Sequence, residues 1–373
     1  MLNLINWLLQ LPVIAPFVQS VYWAIVCILA SLLAPVVFLN GVRMSFADAF
    51  LSRENDVRER SFLGVLVTGC DTGFGRAVAV GLAQRGYTVF AGCLSATAIE
   101  AEGVPEGNLH VCGMDVTHQA DVDKVVNTVQ TWVEADPRRR LLCVANNAGV
   151  GSGGPLDWLS MEDFERDMNV NFFGCVRVCK AFLPLLRHSS TEAATSSGAT
   201  PRIVVVSSMS GKLPVPFLST YASSKHAVTC LAACMRMELA DLWGINVCTA
   251  LPSFHRTPMT EGGVRSIRSL WESLPRSVKA IYGDQCAKSS FRVADQMMSD
   301  WAWEPARVSE ALVRVISQQR PPPAELTIGT DAWTVLHALR HLPPPIYEWV
   351  ISRSLLWQFE RPEASQCKRP KNE

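Results

Sequence analysis

A phenol and an ammonium stand four residues apart in Tyr221-Ala-Ser-Ser-Lys225, and a hydroxyl, Ser208, lies thirteen residues before the phenol. On a helix, side chains four apart share a face. The ammonium of Lys225 would then favour the phenolate of Tyr221 and draw its pKa down from about 10, giving an acid or base usable near neutral pH. Hydride transfer between an alcohol and a carbonyl needs that equipment: one group to move the proton, and one oriented hydroxyl beside the reacting oxygen. Tyr-x-x-x-Lys alone is also common on solvated helix faces. Ser207 competes with Ser208, because strand alternation points the two to opposite faces and only the spacing to Tyr221 favours Ser208.

A second group of residues points to a dinucleotide. The apolar run Val65-Leu-Val-Thr68 leads straight into Gly69-Cys-Asp-Thr-Gly73-Phe-Gly75, and the helix-like Ala77-Val-Ala-Val-Gly-Leu-Ala follows. Glycines between a strand and a helix permit a tight turn and let backbone N–H groups approach a pyrophosphate at the helix N-terminus. The spacing differs from the usual Gly-x-Gly-x-x-Gly, and a plain turn is the alternative. NAD enzymes of this architecture place an acid at the end of the second strand, and NADP enzymes a cation. Ala91-Gly-Cys-Leu-Ser95 has neither, which favours NAD and leaves NADP possible, with Arg76 as the counter-argument.

These residues require a scaffold of repeated strand–helix units, and the sequence supplies one. Strands are expected at Leu63–Thr68, Thr88–Ala91, Leu109–Met114, Leu141–Ala145, Ile203–Ser207, Asn246–Ala250 and Glu325–Ile328, alternating with amphipathic stretches. That pattern is an α/β fold, a single Rossmann-like domain over about residues 62–330 with a doubly wound parallel sheet of seven strands. Ser189–Thr200 reads as a surface loop. Met259–Ala302 interrupts the alternation with tryptophan, methionine and charge at helical spacing, and in this architecture it would cover the substrate.

The ends differ from the middle. Residues 1–42 read as an N-terminal membrane anchor, because Phe17–Leu39 carries no charge and is long enough to cross a hydrocarbon core of about 30 Å. A charged linker follows over 43–61. In the extension 331–373, the aromatic stretch Trp333–Phe359 is too interrupted by Arg340, Glu348 and Arg353 to span; it either lies on the membrane or packs against the domain. Among the 373 residues, net charge is zero and no basic stripe occurs, which argues against nucleic acid. Twelve scattered cysteines without Cys-x-x-Cys spacing read as reduced core residues, and no metal site is expected.

Thr68-Gly-Cys-Asp-Thr-Gly-Phe-Gly75, Asn146-Asn-Ala-Gly149, Asn171, Ser208 and Tyr221-x-x-x-Lys225, in this order, resemble the motifs of the short-chain dehydrogenase/reductase family. Cys-Asp-Thr-Gly-Phe-Gly, Met168-Asn-Val-Asn-Phe-Phe-Gly174 and Leu342-Pro-Pro-Pro-Ile-Tyr347 look most like its membrane-associated branch of retinol dehydrogenases and 17-beta- and 11-beta-hydroxysteroid dehydrogenases type 2. The resemblance implies an NAD-dependent oxidoreductase acting on a lipophilic steroid or retinoid alcohol at the endoplasmic reticulum membrane, and it admits a homodimer. A membrane-bound scaffold that binds cofactor without turnover is the alternative. By the same resemblance Tyr221 is the proton donor or acceptor, Lys225 lowers its pKa and holds the nicotinamide ribose, Ser208 binds the substrate oxygen, and Asn171 supports a proton-relay water. Gly69, Asp71, Thr72, Gly73, Phe74, Gly75, Asp115, Asn146 and Thr257 join Tyr221 and Lys225 in the cofactor site, with Asn147 supporting. The bland readings are a turn for Asn146 and Asn147, and a helix N-cap or turn for Asp115. Pro252-Ser-Phe-His-Arg-Thr257 carries Ser253 where the family has glycine, so a turn needing φ > 0 would be strained there.

Overall fold

Strands buried on both faces read as near-continuous apolar runs, and β1 (Leu63–Thr68), β2 (Thr88–Cys93), β4 (Arg140–Asn146) and β5 (Arg202–Val206) are buried at every position. With β3 (Leu109–Gly113), β6 (Asn246–Pro252) and β7 (Glu325–Ile328) they form one sheet in the order β3-β2-β1-β4-β5-β6-β7, parallel throughout. The computed structural model describes residues 59–95, 99, 103–193, 199–329, 332, 339, 342–356 and 362. The expected anchor at 1–42 and most of the linker therefore lie outside the described residues. All seven expected strands form, with ends displaced by a few residues; β2, for example, continues to Cys93.

Alternate residues of a strand face opposite sides, and two cores result. Val65 and Val67 pack with Val78 and Leu82 of α1 (Gly73–Gln84) and with Leu312 and Ile316 of α8 (Ala306–Ser317). Leu66 faces the other way, into a cluster with Val125 and Val129 of α2 (Gln119–Glu134), Phe182 and Leu186 of α4 (Cys175–Ala193), and Val228 and Met235 of α5 (Ser219–Trp243). Helix α3 (Met161–Met168) runs into α4 through a π-helical segment, Asn169–Gly174. The run Met161–Thr191 is long and apolar enough to cross a membrane, yet its apolar side is spent on the second core.

Order reversal between β1 and β4 makes a crevice at the carboxyl ends of the central strands, where open α/β sheets bind ligands. The 259–302 stretch folds as α6 (Pro258–Ser273), α7 (Arg276–Gln296, kinked at Gly283) and a π turn at Met297–Trp301. It meets the segment after β4: the Trp158 ring lies 5.0 Å from Trp271 and 5.5 Å from Tyr282, and the Tyr282 hydroxyl donates to Asp157 at 3.0 Å. Further along the chain, α9 (Pro344–Leu356) brings Tyr347 and Ile351 against Leu213, Leu251 and Met209, so this helix packs against the domain on one face. Ile346 and Trp349 remain exposed on the same helix.

Three sequence expectations change. The stretch expected as a surface loop from Ser189 begins as the last turn of α4, with Ser189 buried and its hydroxyl accepting from the Leu141 amide at 2.9 Å and donating to Leu185 O at 2.9 Å. Ser253 does not need φ > 0, since Phe217 is the one non-glycine residue with positive φ among the described residues. Its amide donates instead to Ile328 O at 3.0 Å, an extension of the β6–β7 ladder that any residue can make. Ten described cysteines are free thiols and most are buried as expected, but Cys230 and Cys234 are exposed on α5.

Candidate active site

Gly69 sits at φ 70°, and a Cβ there would lie 2.7 Å from the Ala148 backbone; a Cβ on Gly75 would meet Gly69 O at 2.3 Å. Both close approaches exclude any side chain. Helix α1 begins at Gly73 with Thr72 as N-cap, and no side chain caps its first N–H groups. A cradle too tight for a Cβ, ending in uncapped backbone donors and the positive end of a helix, fits a pyrophosphate. Asn147 fastens this turn to β4: its Nδ2 donates to Thr68 O and Gly69 O at 2.9 and 3.1 Å, while Thr68 Oγ1 accepts from the amides of Asn147 and Ala148 at 3.0 Å each. Phe74 meets the His255 ring edge-on at 5.8 Å. Thr257 caps α6 in a reciprocal box with Thr260, and its Cβ would lie 3.9 Å from a Cβ on Gly73, so the loop after β6 closes over the glycine turn.

An acid does stand at the end of β2, supplied from another element. The Asp71 carboxylate accepts from the amides of Leu94 and Ser95, both at 3.0 Å. Inspection of residues 91–95 alone misses it, because the acid comes from the glycine turn. Arg76, half-buried on the first turn of α1, is close enough to act electrostatically on the Cys93 thiol. Asp115 behaves as a turn residue: its Oδ1 accepts from the Thr117 amide and hydroxyl at 2.8 and 2.7 Å. Burial acts upward on its pKa, and the bonds from Thr117 and His118 outweigh it and hold the carboxyl low. Asn146 is buried, its Nδ2 donating to Cys179 Sγ at 3.3 Å while Oδ1 has no partner among the described residues.

Ser208, Tyr221 and Lys225 come together where β5 ends and α5 begins. Ser208 caps a short 3-10 turn, its Oγ accepting from the Ser210 amide at 3.1 Å. The competing Ser207 is occupied in the core, bonded to Thr229 Oγ1 at 2.6 Å and Lys225 O at 3.2 Å. Lys225 is buried, donates to Val206 O at 3.0 Å and holds its Nζ 5.6 Å from the centroid of the Tyr221 ring. Burial pushes the Tyr221 phenol up to about 12, with the Ser208 hydroxyl acting downward and the Asp167 carboxylate upward. The expected lowering of this pKa by Lys225 is therefore outweighed: desolvation of a phenolate in this wall exceeds the pull of an ammonium not bonded to it. Lys225 is itself drawn down to about 8 by burial, against the upward influence of Cys175 and Asp167.

Asn171 is fully engaged. Its Oδ1 accepts from the Val150 amide at 2.9 Å, and its Nδ2 donates to Val150 O and to Ser224 Oγ, both at 2.8 Å. Ser224 in turn donates to Tyr221 O at 2.8 Å. Both Asn171 Oδ1 and Lys225 Nζ flank position 149, at 3.1 and 3.4 Å from where a Cβ would be. Ser224 and Asp167 belong to this cluster and were not singled out from the sequence. Ser224 lies inside Tyr-x-x-x-Lys, on a helix face already implicated, and that was its available signal.

The short chain dehydrogenase family matches residues 64–266. Mouse retinol dehydrogenase 5 is 30% identical over 326 residues, 86% of this chain and 96% of that protein. Human 17-beta-hydroxysteroid dehydrogenase type 2 is 30% identical over 90% of this chain and 81% of that protein. Two solved short-chain dehydrogenases share the fold: one from Burkholderia phymatum in complex with NAD (TM-score 0.58, 20% identity, 78% of this chain and 96% of that one), and one from Burkholderia cenocepacia in complex with NADP (TM-score 0.56, 18% identity, 80% and 98%). This chain belongs to the short-chain dehydrogenase family. It is a nicotinamide-dependent oxidoreductase acting on CH–OH groups.

Proposed function

We propose that this chain is a membrane-attached dehydrogenase that interconverts a hydroxyl and its carbonyl on a lipophilic, steroid- or retinoid-like substrate, working with NAD in the oxidative direction. The observation that carries the reading is the meeting of the Ser208 hydroxyl, the Tyr221 phenol and the Lys225 ammonium at the mouth of the β1/β4 crevice. Gly69, Asp71, Thr72, Gly73, Phe74 and Gly75, together with Asp115, Asn146 and Thr257, would hold the dinucleotide, which would supply the hydride acceptor. Ser208 orients the substrate oxygen, and Tyr221 Oη takes or gives its proton. Lys225 keeps a positive charge behind the phenol and would donate to the nicotinamide ribose. Asn171 fixes Val150 and Ser224, so its part in proton relay is to hold the walls in place.

Asp71 supports NAD over NADP: a carboxylate at the end of β2 accepts from a ribose hydroxyl and repels a 2′-phosphate. Lipophilic substrate is supported by the names of the relatives and by the aromatic lid residues Trp271 and Tyr282 over the segment after β4. Membrane attachment through residues 1–42 is supported by the charge-free apolar run, and the exposed Ile346 and Trp349 add an interfacial contact. The test is a panel of steroid and retinoid alcohols offered to detergent-solubilised full-length protein with NAD and with NADP. Turnover of a lipophilic alcohol with NAD is expected, and cofactor binding without turnover of any of them would overturn the reading.

A further inference from the structure

Tyr221 is walled on one side by the segment after β4, and that wall is tied to a carboxylate with no role in the chemistry described so far. A Cβ on Gly151 would lie 2.9 Å from the Tyr221 ring, so Gly151 is in direct contact with it. The next residue, Ser152, is bonded in three directions. Its amide donates to Asp167 Oδ2 at 3.0 Å, its hydroxyl donates to Asp167 Oδ1 at 3.2 Å, and its carbonyl accepts from Thr220 Oγ1 at 3.1 Å. Thr220 is the residue immediately before Tyr221, and Asp167 is the last inward residue of α3, four before Asn171.

Asp167 has no solvent exposure at all. A buried carboxylate is expensive unless paired and hydrogen-bonded. Here the two Ser152 donors and Arg166, at 3.4 Å, meet it; Arg166 also contacts Ser152 Oγ and pairs with Asp163 at 3.0 Å. A Ser–Asp latch made only to stiffen a loop would not need full burial of a charge beside the reactive groups. Arg166 on its own helix pairs with it, and its charge reaches Tyr221 and Lys225 on α5. Negative charge here favours the ammonium of Lys225 and the neutral form of Tyr221.

We propose that Asp167 is a positioning residue of this site, its carboxylate latching Ser152 so that Gly151 stays against Tyr221. This rests on the reading of Tyr221 as the proton-transferring group. Asp167→Asn is the conservative variant, because its amide oxygen can still accept from the Ser152 N–H; Asp167→Ala removes the latch.

Hydrogen exchange tests this without any turnover. Followed on the peptide containing Ser152, it should quicken by about fivefold or more in Asp167→Ala, the loss of the buried amide bond, and much less in Asp167→Asn. Rescue by Asp167→Asn is the readout that a general loss of packing would not give. Unchanged exchange in a folded Asp167→Ala protein, or equal quickening in both variants, overturns the latch. Failure of the native chain to turn over any alcohol would count against the proposed activity while leaving this measurement decisive.

Discussion

The side-chain amide of Asn171 donates to the hydroxyl of Ser224 at 2.8 Å, and through Ser224 it reaches the backbone of Tyr221. Two elements far apart in the chain, the π segment and the start of α5, are thus joined inside the core. Ser224→Ala should leave a buried Asn171 donor without its acceptor and cost about 1–3 kcal/mol. Thermal unfolding should fall by several degrees and kcat by more than KM rises. A variant with native stability and turnover would show the link to be dispensable.

Tyr221→Phe should abolish turnover while leaving cofactor affinity near native, since only the transferable proton is lost. Retention of more than about a tenth of kcat/KM, a loss below about 1.4 kcal/mol, would remove Tyr221 from the role of acid and base. Lys225→Ala should weaken both turnover and cofactor affinity, read by stopped-flow and by NADH fluorescence.

Stability should follow pH in two opposed limbs. Lys225 has a folded value of about 8 against an ordinary 10.5, so between these the unfolded chain binds more protons and stability rises with pH. Tyr221 has about 12 against 10, so between these the folded chain binds more and stability falls. Melting temperatures taken at intervals through the alkaline range should flatten on the rising limb in Lys225→Met and on the falling limb in Tyr221→Phe. Oxidation, which draws on the ionised phenol, should gain with pH before the loss of the Lys225 proton weakens cofactor binding.

NAD should exceed NADP in kcat/KM, and Asp71→Ser should narrow the ratio by loosening the corner at Leu94 and Ser95 as well as removing the charge. Arg76→Ala should leave NAD kinetics unchanged. A native preference for NADP of about tenfold or more, worth about 1.4 kcal/mol, that disappears in Arg76→Ala would reassign Arg76 as a phosphate ligand.

Deletion of residues 1–42 should release the folded protein from alkaline-washed membranes. A helix of uncharged residues pairs every backbone group and resists extraction, whereas placing Arg340, Glu348 or Arg353 at the bilayer centre costs about 2.5 kcal/mol or more each. A truncated, cofactor-binding protein that stays in the pellet would make the C-terminal extension the stronger anchor.

The sheet was legible because β1, β2, β4 and β5 are largely apolar runs, buried throughout, a signal that needs no tertiary knowledge, and the candidate site because Ser208, just after β5, keeps its spacing to Tyr221 and Lys225 on α5. What the sequence hid depends on contacts between distant segments. Asp71 serves the end of β2 from the glycine turn, and Asp167 meets Ser152 across fifteen residues; neither pairing has a periodicity. The raised pKa of Tyr221 is hidden for the same reason, since a local Tyr–Lys pattern reports the neighbouring charge and is silent about burial.

The π segment Asn169–Gly174 has a further consequence. Each residue added to or taken from an α-helix turns everything beyond it by about 100°. Asp167 and Asn171 must face the site, while Val178, Phe182 and Leu186 must face the sheet; the wider turn between them reconciles the two phases. The wider turn takes up one residue more than α-helical pitch would, so a one-residue deletion within 169–174 would restore plain α-helix, leave the apolar stripe of α4 on the sheet, and disturb the hold of Asn171 on Val150 and Ser224 instead. This stretch should tolerate substitution at its exposed Phe173, and a related chain with a residue missing there would keep its second core and lose the turn that sets Asn171.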